Sequence, residues 1–95
     1  MKKFVIMTIG FTKPTPELMQ EWQQWFKSIN DKIVDQVGLS NGKTITKDGL
    51  SDLPFDLDTI TGFVIINAEN MDEALEIARD CPMVTATKVY EVRSS

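Results

Sequence analysis

Residues 60–67 have the sequence ITGFVIIN, and this stretch decides the fold together with a similar one, KFVIMTIGF, at residues 3–11. Both stretches are rich in β-branched and aromatic residues and too short for a typical helix, so each predicts a β-strand. Apolar side chains occupy neighbouring as well as alternate positions in both, so both faces of each strand need to be covered. We therefore expect these two strands to lie in the middle of a sheet.

The segment after the first strand predicts one long amphipathic helix. Thr15 is a suitable N-cap, Pro16 is a suitable first helical residue and Gly38 is a natural C-terminal stop. Because Trp22 and Trp25 belong to the apolar stripe of this helix, we interpret them as core residues rather than as a stacking platform for a ligand. The stripe follows steps of three and four and consists of Leu18, Met19, Trp22, Trp25, Phe26, Ile29, Ile33, Val34 and Val37.

The remaining elements are shorter. Residues 41–49 predict a short polar strand bounded by turn residues, and residues 50–58 predict a loop. Asn70 begins a second helix as the first residue of a capping box, and Pro82 ends that helix. Residues 86–93 predict the last strand.

The resulting order, β-α-β-β-α-β, predicts a single α+β domain over residues 1–95 with a ferredoxin-like fold. Right-handed crossovers place the first and third strands in the middle of a four-stranded antiparallel sheet, with the two helices on one face. The other face is also apolar, so we expect it to pack against a second copy of the chain. The sequence thus predicts a homodimer with a cleft between sheet, loop and partner.

Charge and composition disfavour several classes of protein. The formal net charge is -4 and the basic residues are scattered, whereas phosphate recognition needs clustered positive charge, so no nucleic-acid or anionic-membrane binding is expected. No apolar stretch approaches the roughly 20 residues that cross a bilayer, and no signal peptide is recognisable. The single cysteine cannot form an internal disulfide, so the cytoplasm is the expected location.

Four stretches in the second half of the chain resemble a known family. They are Asp52-Leu53-Pro54-Phe55, GFVIINA at residues 62–68, DEALEIA at residues 72–78 followed by Cys81-Pro82, and Tyr90-Glu91-Val92-Arg93. In the same order, they are similar to four features of the YCII-related family. These are the DGPF motif (with leucine here in place of glycine), the Gly-Phe strand, the second helix with its Cys-Pro stop, and the closing Val-Glu-Val-Arg strand. This family, also called DGPF-domain proteins, belongs to the dimeric α/β-barrel superfamily.

The resemblance implies a ferredoxin-like fold and a homodimer, which the pattern of strands and helices predicts independently. The chain also departs from the family. The spacer between Phe55 and Gly62 is shorter than usual and lacks a Lys-Glu pair. Some members are thought to use a His-Asp pair in a cleft, and this apparatus cannot be transferred because the chain contains no histidine.

Five residues are candidates for ligand binding in the expected cleft. Phe55 lies in the 50–58 loop, where it would line a pocket or pack on the partner, and both interpretations stay open. Tyr90 and Arg93, with Asp52 as a neighbour, would hold an anionic or phenolic molecule by hydroxyl and charge, although a surface salt bridge of Arg93 is the favoured interpretation. Phe63, in the stretch that resembles the Gly-Phe strand, completes the set.

The sequence offers little other chemistry. Without histidine the usual catalytic triads and most zinc sites are excluded. Cys81 is expected to be structural, because a helix C-terminus and a neighbouring aspartate disfavour the thiolate. No cofactor is predicted. No metal site is predicted either. Four aspartates in or near the loop could supply oxygen ligands, but their spacing is not that of an EF-hand. They are Asp48, Asp52, Asp56 and Asp58.

The sequence therefore favours a dimeric small-molecule-binding domain without catalysis of its own. One alternative is a lyase- or isomerase-like enzyme acting on a small aromatic or lactone, with Asp52 as a general base whose pKa is raised by burial. Another is a protein-interaction module that regulates a partner.

Overall fold

The structure, a computed structural model, describes residues 1–93. In chain order the elements are β1 (Lys2–Ile9), α1 (Pro16–Ser28), β2 (Ile33–Gly38), β3 (Gly42–Thr46), β4 (Gly49–Leu53), β5 (Ile60–Ala68), α2 (Met71–Arg79) and β6 (Ala86–Glu91). The main sheet has four antiparallel strands in the order β2-β5-β1-β6, and a separate hairpin consists of β3 and β4. The α+β architecture and the central place of the first strand and of the ITGFVIIN strand are as predicted.

The first helix is shorter than predicted, because α1 ends at Ser28 and the chain re-enters the sheet as β2 at Ile33. The prediction of a helix as far as Val37 was therefore wrong. The amide of Asn30 reaches back to the carbonyl of Lys27 at 3.5 Å, and the helical pattern stops there. The β-branched residues that follow pair instead with β5, which needs an edge neighbour to satisfy its backbone groups.

The hairpin corrects two further predictions. The polar strand expected at residues 41–49 is present as β3, but it does not belong to the main sheet, whose edge position is taken by β2. Part of the expected 50–58 loop is strand β4, which pairs with β3 from Gly42↔Leu53 to Thr46↔Gly49. The two strands turn through residues 47–48, and Gly49 has a φ of 134° that favours glycine.

The end of the domain follows the predicted order. The Asn70 side chain accepts a hydrogen bond of 2.9 Å from the amide of Glu73, which is the expected cap of α2. The last strand, β6, ends at Glu91 rather than at Arg93, although the amide of Val92 still donates to the carbonyl of Lys3 at 2.9 Å.

Both helices pack on one face of the main sheet. This face carries the buried side chains of β1 and β5, which alternate along the strands and meet α1 and α2 in one core. Trp25 is part of this core, as predicted, and Trp22 packs against its edge. The fully or nearly buried members are Phe4, Ile6, Trp25, Ile29, Val64, Ile66, Ala68, Ala74, Ala78 and Cys81.

The other face of the sheet, which we call the open face, carries the intervening side chains of the same strands. These are Val5, Met7 and Ile9 of β1 and Phe63 and Ile65 of β5, and all five are only partly buried. They are apolar and central, yet the helices lie on the opposite side. The open face is therefore apolar, as the sequence predicted for the second side of the sheet.

Candidate functional site

A cavity of about 550 Å³ lies where α1 crosses the end of the main sheet. Its walls come from residues 8–12 at the end of β1, 36–38 at the end of β2, 61–64 in β5 and 82–84 after α2. The inner side of α1 closes it from above. The site therefore depends on how five separate stretches of chain meet in space.

Spacing by four residues places the side chains of α1 along this cavity. Leu18, Trp22 and Phe26 follow one another on the same side of the helix and all line the space. The rings of Trp22 and Phe26 are tilted by 31° with centroids 5.8 Å apart, while Trp22 meets the buried Trp25 edge-on at 5.7 Å. This aromatic wall is held by the core behind it, which gives it a fixed shape.

Two threonines of the cavity wall are in hydrogen-bond contact with each other. The register between β1 and β5 shifts so that Thr8 pairs with Gly62 and Ile9 with Ile60, which leaves Thr61 as the extra residue of a bulge. The bulge brings the hydroxyl of Thr61 within 2.9 Å of the hydroxyl of Thr8. Bulges often redirect a side chain in this way beside binding sites.

Two glycines allow the cavity walls to approach one another. A Cβ on Gly62 would lie 2.7 Å from the carbonyl oxygen of Val37, so β2 could not run as close to β5 with any other residue there. At Gly10 the φ of 109° and a Cβ position 2.5 Å from the hydroxyl of Thr85 both require glycine. The loop after α2 can thus close over the end of β1.

No ionisable side chain is found among the described residues that line the cavity. The polar groups present are threonine hydroxyls and glutamine amides, from Thr8, Thr12, Gln23, Gln36 and Thr61. Such a lining can orient an uncharged molecule by hydrogen bonds but supplies no strong base, acid or nucleophile near neutral pH. Within residues 1–93 no group of three or more His, Cys, Asp or Glu residues is arranged to hold a metal ion.

Two of the five ligand-binding candidates from the sequence lie at or beside the cavity. Phe63 borders the cavity through its place in β5 between Gly62 and Val64, while its side chain belongs to the open face. Phe55 is 38% exposed and packs edge-on against Phe11, with ring centroids 5.0 Å apart. Since Phe11 lines the cavity, Phe55 supports the wall from behind.

The structure does not bring the other three candidates to the cavity. Asp52 lies on the hairpin, where its carboxylate forms an ion pair of 2.7 Å with Lys43 and its side chain is 85% exposed. Tyr90 is exposed on β6 opposite Val5, and Arg93 is exposed beyond the end of that strand. Asp52 is therefore not beside Tyr90 and Arg93 within one pocket of the protomer.

Cys81 is buried in the core beside the end of α2. Burial raises the pKa of its thiol, and the nearby Asp80 carboxylate raises the pKa further, against an opposing effect of the hydrogen bond with Thr87. The Cys81 sulfur lies 3.3 Å from the Thr87 hydroxyl. A protonated, buried thiol agrees with the structural role predicted for it.

Sequence reasoning missed Thr8, Thr61 and Gln36 and assigned Trp22 only to the core. For Thr8 and Thr61, the available signal was a threonine inside each of two otherwise apolar strands. That signal is weak by itself, because threonine is common in strands and only the bulge brings the two hydroxyls together.

Comparison with known proteins extends these findings. A family model for the YCII-related domain matches residues 13–94. The solved structure of 5-chloro-2-hydroxyhydroquinone dehydrochlorinase (TftG) from Burkholderia phenoliruptrix AC1100, in complex with 2,5-dihydroxybenzoquinone, is similar with a TM-score of 0.59. It is 18% identical, and the match covers 98% of this chain and 95% of that chain, so the likeness concerns the fold. No functionally curated protein matches the sequence.

Among residues 1–93 no helix is long and apolar enough to cross a membrane.

Proposed function

The chain belongs to the YCII-related domain family, and we propose that it is a homodimer that binds a small, uncharged, largely apolar molecule in the cavity under α1, without catalysis of its own. One observation carries this proposal: the cavity is large and aromatic, and the described residues that line it include no ionisable side chain. Burying a charge without a partner is costly, so this lining selects against charged ligands.

The size of the cavity fits such a role. Its volume of about 550 Å³ lies within the range of about 300–1,000 Å³ that is common for small-molecule sites. Proteins of this fold can hold a small cyclic molecule, since the TftG structure contains a benzoquinone. Here the walls from α1 and β5 supply apolar contact area, and a few polar groups supply orientation.

The enzymatic alternative has less support. It needed a buried carboxylate at Asp52, whereas this side chain is exposed, paired with Lys43 and outside the cavity. We expect Asp52→Asn to leave both ligand affinity and stability almost unchanged, because an exposed ion pair contributes only ~0–1 kcal/mol. A loss of turnover on any small aromatic or lactone in this variant, with the fold intact, would restore the enzymatic alternative.

Two surfaces support the homodimer. The open face is apolar in the middle of the sheet, where Val5, Met7 and Ile65 are left partly exposed. On the hairpin, Ile45 is 79% and Leu50 is 67% exposed, and the two residues are cross-strand partners. A two-stranded hairpin is at best marginally stable alone in water, so packing against a second copy would stabilise it.

An interaction module for a different protein is the second candidate, and the same hairpin favours it. All of β4 is exposed, and so are Lys43, Ile45 and Thr46 of β3. The hairpin is thus free to contact either a second copy or a different protein. If Leu50→Ser leaves the dimer intact but abolishes capture of a partner protein, the hairpin serves that partner.

As the location of the protein we propose the cytoplasm, where a lone thiol such as Cys81 stays reduced.

The binding proposal can be tested with Nile red, an uncharged apolar dye whose fluorescence rises on burial. We expect saturable binding with one dye per chain. Val84→Phe places a larger side chain in the cavity wall and should weaken binding at least tenfold. The matched control is Val92→Phe, because Val92 has nearly the same exposure (38% against 37%) but does not line the cavity. Equal binding by the two variants would contradict the proposal.

A further inference from the structure

We infer that the cavity selects ligands that carry a hydrogen-bond donor, a hydroxyl or N–H, on an uncharged planar frame, and that Thr8 and Thr61 together accept that hydrogen bond. The inference rests on the proposed function, because it specifies the chemistry of the molecule that the cavity holds. The two hydroxyl oxygens are 2.9 Å apart in the cavity wall.

The hydrogen bonds around these two hydroxyls use both of their protons. The Thr61 hydroxyl can donate to the carbonyl of Thr8 at 3.3 Å, and the Thr8 hydroxyl can donate to the carbonyl of Gly62 at 3.4 Å. Either hydroxyl can instead donate to the other. A hydroxyl has one proton and two acceptor lone pairs, so two protons must be shared among these three contacts.

Two arrangements make the short contact between the hydroxyls and keep both protons within the protein. In one, Thr8 donates to Thr61, and Thr61 donates to the Thr8 carbonyl. In the other, Thr61 donates to Thr8, and Thr8 donates to the Gly62 carbonyl. In both, one oxygen keeps two unused lone pairs and the other keeps one. The pair therefore offers acceptors to a ligand without breaking a bond, while donating would cost an existing one.

The other polar groups of the cavity do not impose the same preference. The amides of Gln23 and Gln36 and the hydroxyl of Thr12 each contain both a donor and an acceptor and serve either kind of ligand. The aromatic wall of Trp22 and Phe26 adds the requirement for a flat frame, because stacked or tilted rings gain contact area against a planar molecule. Discrimination in favour of a donor thus falls on Thr8 and Thr61.

The test compares 2-naphthol with 2-methoxynaphthalene by isothermal titration calorimetry. The two compounds share one planar frame and are uncharged at neutral pH, but only the naphthol can donate. The ether is the more apolar molecule, so hydrophobic burial alone favours the ether. We expect the wild type to bind the naphthol about fivefold more tightly, as one net hydrogen bond implies.

Variants of the two threonines locate the effect. Thr8→Val and Thr61→Val each keep the shape of the side chain and remove one hydroxyl, and each should lower the preference, because the remaining hydroxyl still donates to a backbone carbonyl and keeps its lone pairs. The double variant Thr8→Val/Thr61→Val should reduce the preference to about unity or reverse it. Thr61→Ser should retain the preference. Thr44→Val, in β3 outside the cavity lining, is the matched control and should behave like the wild type. Unfolding curves verify that each variant is folded.

The possible outcomes separate this inference from the proposed function. If neither compound nor Nile red binds the wild type, the proposed function fails and the inference fails with it. If both compounds bind the wild type and are weakened by Val84→Phe but show no preference for the donor, the binding function stands and the inference is overturned. A preference that persists in the double variant Thr8→Val/Thr61→Val overturns it as well.

Discussion

The indole Nε1 of Trp25 donates a hydrogen bond of 3.1 Å to the carbonyl oxygen of Ile77. Trp25 lies in α1 and is only 4% exposed. Ile77 lies in the last turn of α2, where the final carbonyls of a helix have no partner inside it. One side chain therefore joins the two helices above the sheet and completes the end of α2, and it also supports Trp22 at the cavity.

Trp25→Phe should destabilise the protein by about 2–3 kcal/mol, because it leaves the Ile77 carbonyl without this donor and creates a small cavity in the core. The measurement is the free energy of unfolding in urea. Trp22→Phe is the matched control, since Trp22 is only partly buried, and should cost less than about 1.5 kcal/mol. Equal losses in the two variants would show that the bond to Ile77 adds nothing to stability.

Gly62→Ala should destabilise the protein by about 1–3 kcal/mol, because its Cβ would lie 2.7 Å from the carbonyl oxygen of Val37 and must push β2 away from β5. Gly38→Ala is the control at the same end of the sheet, where a Cβ would meet nothing within 4 Å, and we expect it to be nearly neutral. Thermal unfolding of the two variants measures the difference. Similar midpoints would mean that β2 does not run as close to β5 as the structure shows.

Much of the fold could be predicted from the sequence because the two central strands have a distinctive composition. Phe4 to Ile9 and Ile60 to Asn67 are apolar on both faces, which only the middle of a sheet accommodates, and Asn70 marks the second helix by its cap. These signals are local, and the structure contains both strands and the cap.

The end of α1 could not be predicted in the same way. Residues four apart share a side of a helix and also a face of a strand, so the series Ile29, Ile33 and Val37 fits both. Pairing with β5 decides in favour of the strand. An irregularity at Val34 then lets Ile33 pair with Ile66 of the core face and Val37 with Phe63 of the open face, which no periodicity reveals.

The candidate site was harder to predict because its residues are distant in sequence. Thr8 and Thr61 are separated by 53 positions, and only the bulge in β5 brings their hydroxyls together. Phe63 borders the cavity, and its strand was distinctive in the sequence. Asp52 was selected for its place in a motif, and the hairpin carries it into solvent.

The thiol of Cys81 predicts a pH dependence of stability. Because burial raises its pKa in the folded protein, its contribution to stability is fully present below the unfolded pKa of about 8.5 and is lost as the pH rises through the folded pKa. Between about pH 8 and pH 10, the free energy of unfolding should therefore fall more steeply for the wild type than for Cys81→Ala. Urea unfolding at a series of pH values provides the comparison. Parallel slopes would contradict the raised pKa.

The open face predicts the effect of a charge in the middle of the proposed dimer. Ile65→Glu places an unpaired carboxylate where two sheets would meet, and such a group is costly to bury, so the dimer should dissociate at least about tenfold more readily. Sedimentation velocity over a dilution series measures this change. Leu75→Glu is the control, because Leu75 is partly exposed on α2, on the side of the sheet away from the open face.

Stability distinguishes a broken interface from a damaged protomer. If the open face forms the dimer, the unfolding midpoint of the wild type should rise with protein concentration, whereas that of Ile65→Glu should not. Leu75→Glu should keep the concentration dependence of the wild type. A wild-type chain that sediments as a folded monomer at micromolar concentration would contradict the dimer directly. The apolar side chains Val5, Met7 and Ile65 would then be left facing water, and a different protein would be the remaining occupant for that face.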